Sequence, residues 1–421
     1  MKVLVLGSGG REHTLVWKLA QSSALTDLLA LPGNPGMENL ARRIRANPDD
    51  ISEVVETAKR EVVDLVVIGP ENPLAAGLVD ALSDAKIPAF GPSRAAAQIE
   101  SSKAFAKDLM LSCNVPTADY EVFDDPRAAR EYFGSCSLPK VIKADGLAAG
   151  KGVTVVNDRQ EGLTILAELM EQERLGSAGR RVIIEECLEG PELSVMAITD
   201  GIEVVPLVAA QDYKSIREHG EGPNTGGMGS YSPVPFCDEP LMTQIESSVL
   251  RPVIDEMRRR GTPFRGVLYG GLMLTDAGPK VLEFNCRFGD PETQVVLPRL
   301  ASDLLPLLLA SAGVTDDFKR QAQAIRWRNE AAVCVILASK GYPGPYEKGH
   351  PIKGLEHVPE DVLVFHAGTE QANDGLVTAG GRVLGVTAVG DGLARASERA
   401  YDAVEGISFR GVQFRRDIAQ L

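Results

Sequence analysis

The chain has 421 residues and a mass of 45.0 kDa, with 44% hydrophobic and 24% charged residues, which suits a soluble protein of about three lobes and excludes disorder as its main state. Its net charge of −14, with no long basic run, excludes a protein that neutralises many phosphates of a nucleic-acid duplex. No run approaches the length of apolar chain needed to cross a membrane, and the apolar stretch before Gly7 is too short for a signal peptide core, so a cytoplasmic enzyme without nucleic-acid or membrane partners is expected.

Residues 2–6 (KVLVL) are an apolar run that ends in glycines and predict a strand. A helix follows over about 11–21, with Leu15, Val16, Leu19 and Ala20 on one side. Residues 27–33 predict a second strand, 51–60 a helix, 64–70 a strand, 74–85 a helix and 87–92 a short strand. This alternation argues for a doubly wound parallel sheet in an N-terminal lobe, residues 1–101. SSKAFAKDLM opens a new helix, after which short strands (138–144, 151–156, 181–186, 192–198) and a helix near 159–172 form a small α+β lobe, about 119–192. Strands at 203–210, 266–274 and 280–285, with a long helix near 238–260, extend this into a central region, 102–325. Polar residues 313–330 lead to a C-terminal lobe, 326–421, with strands at 331–339, 362–368 and 382–390 and a helix near 391–405. The six cysteines, at 113, 136, 187, 237, 286 and 334, contain no CxxC or CxxH pair. They read as reduced, mostly buried thiols, and structural zinc is not expected.

Gly7-Ser8-Gly9-Gly10-Arg11-Glu12-His13 lies between a strand and a helix, where backbone N–H groups and the helix dipole favour an anion. Glu12 occupies the third glycine position of the dinucleotide fingerprint, and the second strand runs into Leu31-Pro32-Gly33 rather than a ribose-binding acid, so NAD is disfavoured and a phosphosugar favoured. The alternative is a tight turn with Arg11 and Glu12 solvated. His13 is as compatible with a core or capping role as with a ligand. Asp145-Gly146-Leu147-Ala148-Ala149-Gly150-Lys151-Gly152 lacks P-loop spacing and the Mg²⁺-binding hydroxyl. As a glycine hairpin flanked by Lys143 and Lys151 it suits closure over phosphates; the alternative is a mobile tip with surface lysines.

Glu185-Glu186-Cys187-Leu188 ends a strand and Glu192 opens the next, a place for backbone groups to meet a purine and for Glu192 to hold ribose hydroxyls; solvated carboxylates are the alternative. In Leu282-Glu283-Phe284-Asn285-Cys286-Arg287, period-two spacing places Glu283, Asn285 and Arg287 on one face. A carboxylate beside an amide oxygen suits a hard cation such as Mg²⁺, and Arg287 suits a phosphoryl group or carboxylate. A buried Glu283–Arg287 ion pair is the alternative. Asn224-Thr225-Gly226-Gly227-Met228-Gly229 is a glycine loop that either binds substrate through its backbone or merely flexes.

Taken in order, GSGGREH, GPENPLAAG, SSKAFAKD, VIKADGLAAGKGV, IIEECLEG, GPNTGGMGSYSP, VLEFNCRFGDPETQ and FHAGT resemble the phosphoribosylamine–glycine ligases, an ATP-grasp family, over essentially the whole chain. The resemblance implies an ATP-grasp fold, α/β and α+β, with the doubly wound lobe in front and a small C-terminal lobe behind. It implies a carbon–nitrogen ligase of de novo purine synthesis. ATP, glycine and 5-phosphoribosylamine would give ADP, phosphate and glycinamide ribonucleotide through glycyl phosphate, with Mg²⁺ or Mn²⁺, in a monomer or weak dimer. Lys103, Lys143, Gly146, Gly150, Lys151 and Gly152 would hold the ATP phosphates, Glu185, Glu186 and Leu188 the adenine, and Glu192 the ribose. Glu283 and Asn285 would be metal ligands, and Arg287, Lys143 and Glu283 catalytic. Gly10, Arg11, Glu12, Glu71, Asp212, Lys214, Asn224, Thr225, Gly226, Gly227, Arg287 and Asp290 would meet the substrates. The sequence departs from the family in Tyr213-Lys214-Ser215, where His-Lys-Arg is common, and in Leu175, where a Phe-Gly lid is usual. The remaining readings are another ATP-grasp ligase with a different acceptor, a nucleotide sensor, and an NAD oxidoreductase.

Overall fold

Apolar strands without polar alternation need cover on both faces, and a parallel sheet flanked by helices gives it. In Lys2–Gly7 the residues from Val3 to Leu6 are fully buried. The computed structural model describes residues 1–148 and 152–420. Lys2–Gly7 is the middle strand of an all-parallel five-stranded sheet, ordered Arg42–Arg43, Asp27–Pro32, Lys2–Gly7, Leu65–Ile68, Ala89–Phe90. The chain passes to opposite sides for its two neighbours, so a crevice opens beyond Gly7, and the Gly7–Gly10 turn stands in it. The helix expected over 74–85 is two short ones, Glu71–Ala76 and Leu78–Asp84, broken at Gly77, whose φ of 96° ends the first.

The small lobe is an antiparallel sheet ordered Tyr120–Phe123, Val182–Glu186, Lys140–Ala144, Val153–Val156. Helices Pro126–Ser135 and Arg159–Met170 cover it over a separate core that includes Phe133, Ile142, Leu166 and Ile184. The helix before it, Lys103–Ser112, begins at Ser102, whose hydroxyl accepts from the Phe105 amide at 3.1 Å. Asp145, at the start of the glycine loop, accepts from Ser102 Oγ at 3.0 Å and from the Ala104 amide at 2.7 Å. The loop is thereby tied to the helix that carries Lys103.

The central antiparallel sheet runs Val204–Pro206, Glu192–Thr199, Gly266–Thr275, Gly278–Asn285. Only Val204–Pro206 of the strand expected over 203–210 is in it. The long helix expected near 238–260 is Glu239–Ile245 and Arg251–Arg259 with a widened turn, Glu246–Leu250, between them. Pro252 has no N–H to continue the helical ladder, which accounts for the widening. The segment expected as a polar link contains the helix Phe318–Gln323, anchored by buried Phe318.

A six-stranded sheet closes the molecule: Gln211–Asp212, Gly229–Ser232, Ala331–Ser339, Arg382–Gly390 and Val362–His366 in order, with Val412–Gln413 also on Ala331–Ser339. Two of its strands therefore come from the middle of the chain. All six cysteines are free, but only Cys286 and Cys334 are buried; the other four are half-buried, fewer than expected.

The last sheet docks on the first lobe through buried histidines. Asn34 Nδ2 donates to the Ser8 and His366 carbonyls at 2.8 and 2.7 Å, and the His366 amide donates to His13 Nδ1 at 2.8 Å. His13 is therefore a core residue. Burial, with His366 adding to it, lowers the pKa of His13 from 6.5 to about 3, and burial lowers His366 to about 4. Both are lower in the folded chain than in the unfolded one, so their contribution is complete above pH 6.5 and is lost as pH falls toward 4. At about 1.36 kcal/mol per pH unit, each histidine removes about 2–3 kcal/mol of stability by pH 4.5. Urea unfolding of His366→Phe is expected to show roughly half the histidine-dependent loss between pH 7 and 4.5; a slope equal to that of the unchanged chain contradicts this assignment.

Candidate active site

Between the Gly7–Gly10 turn, the small lobe, the central sheet and the last sheet lies a cavity of about 490 Å³. Among the described residues, seven cationic side chains and six carboxylates line it, so an acidic chain has a slightly cationic cleft able to take phosphates.

The crevice end is built by Arg11 and Glu12, and neither is solvated: they are 6% and 2% exposed. Glu12 accepts from the Gly9 amide at 2.7 Å and from Arg11 Nε at 2.5 Å. Its side chain fills the space over Gly7 and Gly69, where a Cβ would lie within 2.5 and 2.2 Å of it. Glu12 thus shapes the turn and aims Arg11, which lines the cleft and donates to the Phe288 carbonyl at 3.2 Å.

Glu283, Asn285 and Arg287 all line the cavity. The strand Gly278–Asn285 ends before Arg287, so Arg287 reaches the cavity from the following turn and not by strand alternation. It does not pair with Glu283. It is held between Glu71 and Glu100, at 3.2 Å from each. Burial lowers its pKa, but these two carboxylates raise it further than burial lowers it, so it stays charged. Glu100 also accepts from the Cys286 amide at 2.7 Å. Burial pushes Glu283 up, but Lys214, Lys103, Lys143 and Arg287 outweigh it and hold the carboxyl below its usual range.

Lys103 and Lys143 line the same cavity. Lys143 donates to the Leu282 carbonyl at 2.9 Å and pairs with Glu185, whose other oxygen pairs with Lys107. Lys107 donates to Thr117 Oγ1 at 2.8 Å. The 2% exposed carboxylate of Glu185 is thus committed to two lysines and is not on the cavity wall. Beyond Glu283, Lys214 donates to Glu192 at 2.6 Å. Burial lowers the Lys214 pKa, but Asp212, Glu192 and Glu283 outweigh it and keep the group charged. Burial raises Asp212, against the pull of Lys214. Glu292 accepts from Tyr269 Oη at 2.8 Å and Ser194 Oγ at 3.0 Å. The departures at 213 and 215 are met from the chain's end: the Arg415 guanidinium lies 4.7 Å over the Tyr213 ring and donates to the Ser215 carbonyl at 3.0 Å.

The structure brings Arg11, Glu71, Lys103, Lys143, Gly152, Asp212, Lys214, Thr225, Gly226, Glu283, Asn285, Arg287 and Asp290 to one cavity. Gly10, Glu12, Gly146, Glu185, Glu186, Leu188, Glu192, Asn224 and Gly227 are not on its wall. Gly10 packs on Gln294, Gly146 on Ala178, and Glu186 pairs with Lys280 at 3.4 Å. Gly150 and Lys151 lie outside the described residues. Sequence reasoning missed Glu100, Lys107, Tyr269, Glu292, Tyr342, Tyr346 and Arg382, all on the wall. Of these only Lys107 had a signal, its position one helical turn after Lys103.

Among the described residues no three His, Cys, Asp or Glu side chains form a metal cluster. Glu283 and Asn285 alone offer two hard oxygen donors, which fits a cation that keeps its other positions for phosphate oxygens and water, as Mg²⁺ does.

The sequence matches three family profiles: Phosphoribosylglycinamide synthetase, N domain, over residues 1–100; its ATP-grasp (A) domain over 101–293; and its C domain over 332–421. It is 49% identical to a phosphoribosylamine–glycine ligase of Rhodopirellula baltica, over 99% of this chain and 97% of that one. It is 46% identical to one of Caldanaerobacter subterraneus, over 100% and 99%. The crystal structure of a phosphoribosylamine–glycine ligase from Thermotoga maritima superposes with a TM-score of 0.83 at 34% identity, covering 99% of this chain and 100% of that one. The biotin carboxylase domain of a Hydrogenobacter thermophilus 2-oxoglutarate carboxylase, solved with MgADP and bicarbonate, superposes with a TM-score of 0.74 over 98% of this chain and 91% of that one. At 16% identity that likeness concerns the fold alone, the ATP-grasp fold.

Proposed function

The chain belongs to the phosphoribosylglycinamide synthetase family, and on that premise we propose that its cleft joins glycine to 5-phosphoribosylamine with ATP, giving glycinamide ribonucleotide, ADP and phosphate in purine synthesis. The observation that carries this reading is the meeting of three parts in one cavity: a wall with Lys103 and Lys143, the Glu283–Asn285 donor pair beside Arg287, and Arg11 at the mouth of the first sheet's crevice.

A carboxylate is a poor acyl donor until a leaving group is attached. A glycine carboxylate oxygen attacks the γ-phosphorus, ADP leaves, and glycyl phosphate forms. The sugar amine then attacks the carbonyl carbon, phosphate leaves, and the amine loses a proton. Lys103 and Lys143 hold the phosphates, with Gly146, Gly150, Lys151 and Gly152 closing over them. Arg287, fixed by Glu71 and Glu100, faces the glycine carboxylate and the transferring group, where fixed charge counts most. Apolar Met110, Ile183 and Phe284 on the inner wall suit the purine, with Leu188 and Glu186 toward its edge, Glu185 holding Lys107 and Lys143 beside it, and Glu192 toward the ribose. Glu283 and Asn285 would hold Mg²⁺ or Mn²⁺, which offsets charge on the phosphates. Gly10, Arg11, Glu12, Glu71, Asp212, Lys214, Asn224, Thr225, Gly226, Gly227 and Asp290 serve the amine and glycine. We place the lobes at 1–101, 102–325 (lid about 119–192) and 326–421, in a cytoplasmic monomer or weak dimer without nucleic-acid or membrane partners. No helix of the described residues is long and apolar enough to cross a membrane.

The test of the acyl phosphate route is glycine labelled with ¹⁸O in its carboxylate. One labelled oxygen is expected in each phosphate released; unlabelled phosphate contradicts the route.

A further inference from the structure

We propose that Arg382, with Tyr342, is a positioning residue for the amine substrate: the last sheet fixes the glycine loop and Asp290 from outside the ATP-binding wall. This rests on the functional reading above.

Gly226 lines the cleft, and both of its backbone polar groups are taken by side chains from the C-terminal region. Its amide donates to Tyr342 Oη at 3.0 Å, and its carbonyl accepts from Arg382 Nη1. The same guanidinium donates to the Asp290 carbonyl at 3.0 Å and to Asp290 Oδ2 at 2.9 Å. The other oxygen of Asp290 accepts from Gln294 Nε2 at 2.8 Å. Neither carboxylate oxygen is therefore free to swing. One guanidinium thus joins two substrate-side segments that are 64 positions apart in sequence, Gly226 and Asp290. A planar fork with several fixed donors does this; a point charge does not.

The support behind Arg382 is rigid. It opens the strand Arg382–Gly390, which pairs with the fully buried strand Ala331–Ser339. Gly229–Ser232, which leaves the glycine loop, pairs with the other edge of Ala331–Ser339. Loop and clamp are therefore mounted on the same sheet. Asp290 faces the phosphosugar end of the cleft: a Cβ built on Gly9 lies 3.6 Å from its Oδ2. None of the hydrogen bonds of Arg382 goes to Lys103, Lys143, Glu283 or Asn285. Losing it should loosen the amine subsite and leave the ATP subsite intact.

The test compares the unchanged chain with R382A, R382K and Y342F. KM is measured for freshly formed 5-phosphoribosylamine and for ATP, and hydrogen exchange is followed in the peptide covering Gly226. R382A should raise the amine KM by about tenfold, the factor that corresponds to 1.4 kcal/mol, with the ATP KM within about twofold. R382K should recover part of that loss, and Y342F should speed exchange at Gly226. An unchanged amine KM in R382A, or equal rises for amine and ATP, overturns the proposal. If R382A does not fold, R382K and Y342F decide: Y342F with unaltered exchange and R382K with an unaltered amine KM overturn it. An unchanged chain that releases no ADP with this amine overturns the functional reading itself, and with it this proposal; normal turnover with an indifferent R382A overturns the proposal alone.

Discussion

Glu283→Gln is expected to lower kcat by on the order of a thousandfold while leaving the fold intact, since several kcal/mol of charge stabilisation are lost at about tenfold per 1.36 kcal/mol. The substitution keeps the shape and one oxygen of the side chain and removes its charge. That charge is the one that Lys214, Lys103, Lys143 and Arg287 converge upon. Without it those four cations lose the anion they share, although Lys143, Lys214 and Arg287 keep their other carboxylate partners, and the donor pair with Asn285 loses its charge. The measurement is kcat at saturating ATP and metal, with a thermal melt as the control for folding. A kcat within tenfold of the unchanged chain would place the metal elsewhere.

Arg287→Ala is expected to cost both activity and stability, and a second change separates the two. Arg287 lies between Glu71 and Glu100, and Glu100 is only 7% exposed. Removing the cation leaves the buried carboxylate of Glu100 without its charged partner, while Glu71 is partly exposed; stranding a buried charge typically costs about 3–5 kcal/mol. Arg287→Ala combined with Glu100→Gln removes the stranded charge while Gln still accepts from the Cys286 amide. The double variant should regain most of the unfolding free energy in urea and none of the lost kcat. Recovery of both would make Arg287 a structural residue only.

The parts of this molecule written in local pattern could be read from sequence. The first sheet was legible because its strands are short apolar runs between glycines and its helices carry one apolar face. The Glu283–Asn285 pair was legible because a period of two holds from Glu283 to Asn285, although the strand's register shifts just before it, at Leu282. Arg287 reached the right place for a different reason, a turn after the strand, and its real partners lie 216 and 187 positions away. Gly229–Ser232 was hidden in a glycine loop because GSYS has no apolar rhythm; pairing with the buried strand Ala331–Ser339 makes it a strand. Thr293–Arg299 contains Pro298 and carries no capping side chain, yet it is wholly buried, so packing overrides propensity there.

Glu185 shows the limit most clearly. A carboxylate at the end of a strand is usually solvated, and only the fold discloses that Lys107 and Lys143 converge on it. Arg382 and Tyr342 had no local signal at all. Their contacts to the cleft span 92 to 156 positions, and both sit in stretches whose pattern speaks only of strand and loop.

The most direct test of the central claim is ADP release by the purified chain with ATP, Mg²⁺ and glycine, with and without freshly formed 5-phosphoribosylamine. ADP formation that requires both glycine and the amine, with glycinamide ribonucleotide as product in equal amount, is the predicted result. ATP binding with no amine-dependent release would contradict it and assign the cleft to another acceptor or to nucleotide sensing.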